Sequence, residues 1–218
     1  MPREVTKTVF KYEELSDEAK EKAREWYRGV DGGLDYEWWD SCYEMFTEVC
    51  DTIGVELDAK PDRLMGGGTR RKPMIFFSGF RSQGDGACFA GRYRQGGLVM
   101  DNVKKMLPQD TELHKIAQAL EEVQDRYNLQ VVVDITTSGQ YCHSGTMRFE
   151  IHDVDDSEGE TVEVSPDDCD TLKDNLRWLA DWLYDKLEKE FEWLTSDEVV
   201  AENIIANEYE FDEFGNPE

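Results

Sequence analysis

At 218 residues, with 39% hydrophobic and 11% aromatic side chains, the chain can bury a substantial core and is too apolar to be a disordered segment. Its formal charge of −25 at pH 7, from 49 acidic residues against 24 Lys and Arg, is repelled by phosphate backbones and anionic lipid unless the basic residues are segregated, which argues against free-standing nucleic-acid binding. No apolar run approaches the ~18–20 residues of a membrane span, the opening MPREVTKTVFKY lacks the apolar core of a signal peptide, and five scattered cysteines without a CxxC pair suit a reducing cytoplasm.

Alternation through Thr6, Thr8, Phe10 and Tyr12 predicts a short strand. Ser16 then caps a helix over SDEAKEKAREWYR, with Asp17 and Glu18 favourably placed in its first turn. The next helix, DYEWWDSCYEMFTEVCDTIG, puts Trp39, Cys42, Tyr43, Phe46, Val49, Cys50 and Ile53 on one face before Gly54 stops it and VELDA begins a strand. LMGGGTRRKP reads as a flexible basic loop, and MIFFSGF and GACFAGRYR as strands joined by the turn residues SQGDG. Pro108 and Asp110 open a helix with Leu113, Ile116, Ala117, Leu120, Val123 and Tyr127 on one side, ended by Asn128.

LQVVVDITTSG and TMRFEIHDV have the character of antiparallel strands flanking GQYCHSG, and ETVEV supplies a third after the turn DDSEGE. A long helix from about Pro166 to Leu194 carries a spine of Leu172, Leu176, Leu179, Leu183 and Leu187, widened by Trp182 and Phe191. Ser196 caps a last short helix, DEVVAENIIANE, and EYEFDEFGNPE is an acidic tail. Strands that cluster without alternating with helices predict an α+β fold: an antiparallel sheet of about five to six strands packed by helices, with a long C-terminal amphipathic helix. Residues 1–195 form one domain in this reading, with 196–218 packed on it or extending from it.

The densest candidate site is Ser82, Gln83, Gly84, Asp85 and Gly86, where two glycines let the backbone present a carboxylate. The same spacing also fits a tight turn in which Asp85 bonds its own backbone. No phosphate-binding GxxxxGK[ST] is present, and the His and Cys residues lack zinc spacing, so neither cofactor nor metal is expected. Asp153 to Glu160 is acidic enough to suggest calcium, but its glycine falls one position late and Val164 stands where a bidentate carboxylate belongs.

Charge is polarised along the chain. Residues 151–218 hold 23 acids and 4 bases, whereas residues 60–105 hold 3 acids and 10 bases. On the long helix Asp174, Asp181, Asp185, Glu188 and Glu192 lie opposite the leucine spine. Such a face is either simply solvated or a binding surface for a cationic protein, presenting carboxylates as a phosphate-like array.

Asp85-Gly86-Ala87-Cys88-Phe89 resembles the Asp-Gly-x-Cys signature of ovarian-tumour-type cysteine deubiquitinases. That resemblance implies Cys88 as nucleophile and a distant His as base, for which His143 is the residue available, with Asp85 as an orienting or charge-stabilising group; the strand-like run around Cys88 fits instead a buried structural thiol. Over most of the chain, KYEELSDEAKEKAREWYR, DYEWWDS, FSGFRSQGDGACFAG and LTSDEVVAENIIANEYEF resemble phage and prophage proteins labelled "antitoxin of toxin-antitoxin stability system". Arg81 and Ala90 depart from that family, where an aromatic and an acidic residue stand.

Three functions follow as expectations. The first is a phage-encoded inhibitor whose acidic surface blocks a host defence or nucleic-acid-processing enzyme, an anti-CRISPR or other DNA-mimic protein among them. The second is an antitoxin neutralising a basic toxin. The third is a hydrolase using Cys88 and His143.

Overall fold

A computed structural model describes residues 6–29, 34, 37–63, 66–94, 97, 99–155 and 161–218. In chain order the elements are β1 (Phe10–Lys11), α1 (Asp17–Gly29), α2 (Asp40–Ile53), β2 (Val55–Leu57), β3 (Ala59–Arg63), β4 (Thr69–Pro73), β5 (Ile75–Phe77), β6 (Ala87–Phe89) and β7 (Gly91–Arg94). There follow α3 (Val99–Met106), α4 (Thr111–Arg126), β8 (Val132–Thr137), β9 (Met147–His152), β10 (Val154–Asp155), β11 (Thr161–Val162), α5 (Pro166–Leu194), α6 (Asp197–Ala206) and β12 (Glu210–Phe211). The architecture is the expected antiparallel α+β, with a long C-terminal helix. Its largest sheet has four strands, in the order β2-β7-β8-β9, and the remaining strands form two-stranded ladders.

The chain divides into two compact units, residues 41–187 and residues 1–40 with 188–218. In the larger unit the strands are organised by a three-way junction. Asp58 N–H donates to Ala90 O at 2.9 Å, Ala90 N–H to Met74 O at 3.0 Å, and Met74 N–H to Asp58 O at 2.7 Å. Each of three continuous extended segments changes partner at that residue, so β2 pairs with β7, β3 with β4, and β5 with β6. A closed ring of backbone bonds satisfies the groups that a partner switch would otherwise leave unpaired.

This corrects two sequence expectations. GACFAGRYR is divided into β6 and β7 at Ala90, and TRRKP, expected as part of a loop, is strand β4. Among the described residues of that run, the glycines before it form the turn. The hydrophobic pattern of TRRKP carries no strand signal because the segment is largely exposed and is held by backbone pairing to β3.

The spine residues Leu172, Leu176, Leu179, Leu183 and Leu187 are all fully buried, as are Phe46, Val49 and Ile53 of α2 and Leu113, Ala117, Leu120 and Val123 of α4. Asp110 caps α4, accepting from Leu113 N–H at 3.1 Å. Asn128 ends it in the left-handed region, at φ 53°. Buried Gln124 imitates a strand neighbour, donating to Val131 O at 2.8 Å and accepting from Val131 N–H at 3.1 Å. Helix α2 begins at Asp40, later than the apolar pattern suggested, after a turn with Glu37 at φ 64°. Helix α3 lacked a sequence signal because only Val99 and Val103 of its eight residues are buried. Val154 and Val162 pair across β10 and β11, while residues 156–160 of the expected acidic turn lie outside the described residues.

In the smaller unit Tyr12, Leu15, Ala19, Ala23, Val200, Ile204 and Phe211 form the core. The acidic tail is folded into it: Phe211 pairs with Phe10 across β1 and β12 and is fully buried, with the Trp26 ring edge-on at 5.7 Å. Gly215, at φ +81°, passes so close to α1 that a Cβ would lie 2.1 Å from Ala19 O. Ser16 and Ser196 cap α1 and α6, accepting from Ala19 and Val199 N–H at 3.3 and 3.4 Å.

Candidate binding cleft and acidic face

The SQGDG segment is a turn held by its own aspartate. Asp85 Oδ2 accepts from the N–H groups of Arg81 and Ser82 at 2.8 and 2.6 Å, and Asp85 N–H donates to Ser82 O at 3.0 Å. Gly84, at φ +94°, supplies the left-handed backbone expected of it, and both glycines meet a second demand. A Cβ on Gly86 would meet His143 Cβ at 2.6 Å and its Cα at 2.9 Å, and one on Gly84 would meet the Tyr141 ring at 3.0 Å. The turn therefore packs directly on the segment between β8 and β9, and glycine is required by that close approach at Gly86 and by its left-handed φ at Gly84.

Between them opens a cleft of about 710 Å³, lined by Gln83, Gly84, Asp85 and Gly86 from the turn, Tyr141, His143 and Ser144 from the facing segment, and Asp181 and Tyr184 from α5. Tyr184 is fixed from behind: its hydroxyl donates to Gly79 O at 3.0 Å, and its ring packs on Phe80 at 5.3 Å. Tyr141, by contrast, is 53% exposed. Among the described residues that line it there is no Lys or Arg, and two are aspartates. The volume is that of a small-ligand site.

Ser82 is exposed and bounds the turn outside the lining, whereas Gln83 and Asp85 line it, so the structure brings together part of the turn with Asp181 of the helix. Sequence reasoning missed Tyr141, Ser144 and Tyr184, which lie far from the turn in sequence and carry no motif.

Cys88 belongs to the interior. It lies in β6 at 1% exposure, and burial pushes its thiol up to about 11 despite the opposing pull of Thr146. Its sulfur interacts with Thr146 and Cys142, and among the described residues no hydrogen bond joins it to His143. His143 Nδ1 accepts from Gly145 N–H at 3.1 Å, so the neutral ring carries its proton on Nε2 and offers a donor there. A nucleophile needs an accessible, readily ionised thiol beside a free basic nitrogen. This arrangement supplies neither.

On α5, Asp174, Asp181 and Asp185 are exposed, and with Trp178 they follow i, i+4, i+7, i+11 spacing along one helical stripe. Trp178 is 54% exposed at its centre. Glu188 and Glu192 are exposed on the part of α5 that belongs to the smaller unit. Three carboxylates over about 16 Å of helix are sparser than one phosphate strand, with about one charge per 3.4 Å. Charge density alone is therefore a weak imitation of nucleic acid, and the stripe adds to its carboxylates one exposed indole.

Within the basic run, Arg70 pairs with Asp62 across its own hairpin at 3.0 Å. Among the described residues no cluster of three or more His, Cys, Asp or Glu can hold a metal ion, and no helix is long and apolar enough to cross a membrane.

Fold and site together define an α+β protein with a carboxylate-lined cleft beside an acidic helical face. Residues 38–197 match a family described as a domain of unknown function (DUF8835), and the chain belongs to that family. Searches of curated proteins and of solved structures return no match.

Proposed function

We propose that this protein is an inhibitory binding protein that docks its α5 face on the cationic groove of a nucleic-acid-processing enzyme, as a phage-encoded anti-defence protein would. The observation that carries the reading is Trp178, a large apolar side chain exposed among Asp174, Asp181 and Asp185. An isolated solvated helix face has no use for an indole there, whereas an interface anchor is most often Trp, Tyr or Arg ringed by polar groups. The net charge of −25 would steer the encounter and make it strongly salt-dependent.

The test is affinity capture from host lysate at low and high salt, with duplex DNA as competitor. Nucleic-acid-processing proteins should be recovered, displaced by salt and DNA, and their binding weakened about thirtyfold by Trp178→Ala, equivalent to about 2 kcal/mol. A captured set without such proteins, or one indifferent to Trp178→Ala and Asp185→Asn together, overturns the proposal.

A further inference from the structure

We infer that the cleft beside this face receives an arginine side chain presented on a segment of the partner protein. The inference rests on the proposed function only for the cationic character of the partner; the rest comes from the cleft itself. Two carboxylates contribute to it, Asp85 from the turn and Asp181 from α5, with no Lys or Arg among the described residues that line it. Asp85 Oδ2 is occupied by two backbone N–H groups, and among the described residues Oδ1 has no hydrogen-bond partner, so that oxygen can accept from a ligand. Asp181 is exposed and belongs to both the acidic stripe and the cleft, which makes it the point where a docked cationic surface would reach inward.

Arginine fits the lining better than lysine. A guanidinium is planar, pairs with a carboxylate through two parallel bonds and stacks on aromatic faces, while an ammonium is a strongly hydrated point charge. Tyr141 and Tyr184 supply rings, Tyr184 held by its bond to Gly79 O. The volume of about 710 Å³ exceeds one side chain and suits an arginine with its flanking backbone. Ser144 and Gln83 can serve the peptide groups on either side.

The test titrates the 218-residue chain with acetyl-Gly-Arg-Gly-amide and maps backbone amide shifts, using the same peptide with citrulline as a neutral isostere and with lysine as a second cation. The arginine peptide should move Gly84, Gly86 and Ser144. Citrulline should bind at least about tenfold more weakly, as should the arginine peptide to Asp181→Asn, the loss expected for charge-assisted bonds. Tyr141→Ala should weaken binding with the same peptide ranking.

Equal binding of citrulline, indifference to both substitutions, shifts mapping elsewhere, or no binding up to about 10 mM would overturn the inference. Preference for lysine would overturn the assignment to a guanidinium. The two readings fail separately: loss of partner capture with peptide binding intact removes the proposed function, and the reverse removes only the arginine pocket.

Discussion

Replacing Asp110 tests how the larger unit fastens α5 to the start of α4. Its carboxylate accepts from Leu113 N–H at 3.1 Å, from the Trp182 indole at 2.9 Å and from Lys186 at 2.7 Å, while Lys186 also lies 4.9 Å from the centre of the Trp182 ring. The helix cap is worth about 1 kcal/mol and the charge-assisted bond to Lys186 about 1.5–3 kcal/mol. Trp182 is only 2% exposed, so its orphaned indole N–H adds about 1–3 kcal/mol. These contributions share one carboxylate and do not simply add, which places Asp110→Ala at about 3–5 kcal/mol.

Asp110→Asn keeps an acceptor for the cap and the indole, and should cost about half as much. Burial pushes the Asp110 carboxyl up, but the bonds from Lys186, Leu113 and Trp182 prevail and hold it below its ordinary value. A lowered folded-state pKa means that its contribution is complete above the unfolded value, about 3.9, and is lost as pH falls through it toward the folded value. Urea unfolding followed by tryptophan emission should therefore show the full gap between wild type and Asp110→Ala at pH 7 and a smaller one at pH 3. A gap under about 0.5 kcal/mol at pH 7, or one equal at both pH values, would refute the reasoning.

Gly86→Ala should destabilise by about 1–3 kcal/mol or more and alter the amide shifts of His143 and Ser144, because the new methyl meets backbone as well as side chain; unchanged shifts and stability would show that the turn does not pack there. Gly215→Ala, whose methyl would run into Ala19 O at a left-handed φ, should free the C-terminal segment for limited proteolysis. Retained protease resistance would contradict the docking of that segment. Iodoacetamide at neutral pH should label the half-exposed Cys142 and Cys169 well before Cys88, whose buried thiol is pushed up to about 11; rapid labelling of Cys88 would reopen the hydrolase reading.

Much of the fold was legible because its signals are local. The leucine spine of α5, the serine caps of α1 and α6, the Asp110 cap and the Asn128 stop each depend on residues within one or two helical turns, where backbone geometry fixes which side chains share a face. The stripe of Asp174, Asp181 and Asp185 follows from the same periodicity. So does the place of Trp178 within it, which the helical spacing already contained.

The rest depended on tertiary structure. TRRKP is a strand because β3 lies beside it, and GACFAGRYR changes partner at Ala90 because Asp58 and Met74 complete the ring of backbone bonds. The sequence identified the SQGDG turn as a dense cluster but left Asp85 either presented as a carboxylate or tied into a tight turn. The structure ties Asp85 Oδ2 into the turn, only the approach of Tyr141 and His143 shows what the turn packs on, and only α5 brought Asp181 and Tyr184 to the same cleft. The acidity that makes a cationic partner plausible is a sum over residues and is readable from composition. A cleft is a coincidence in space of segments that are distant along the chain, and no local pattern specifies which of them meet.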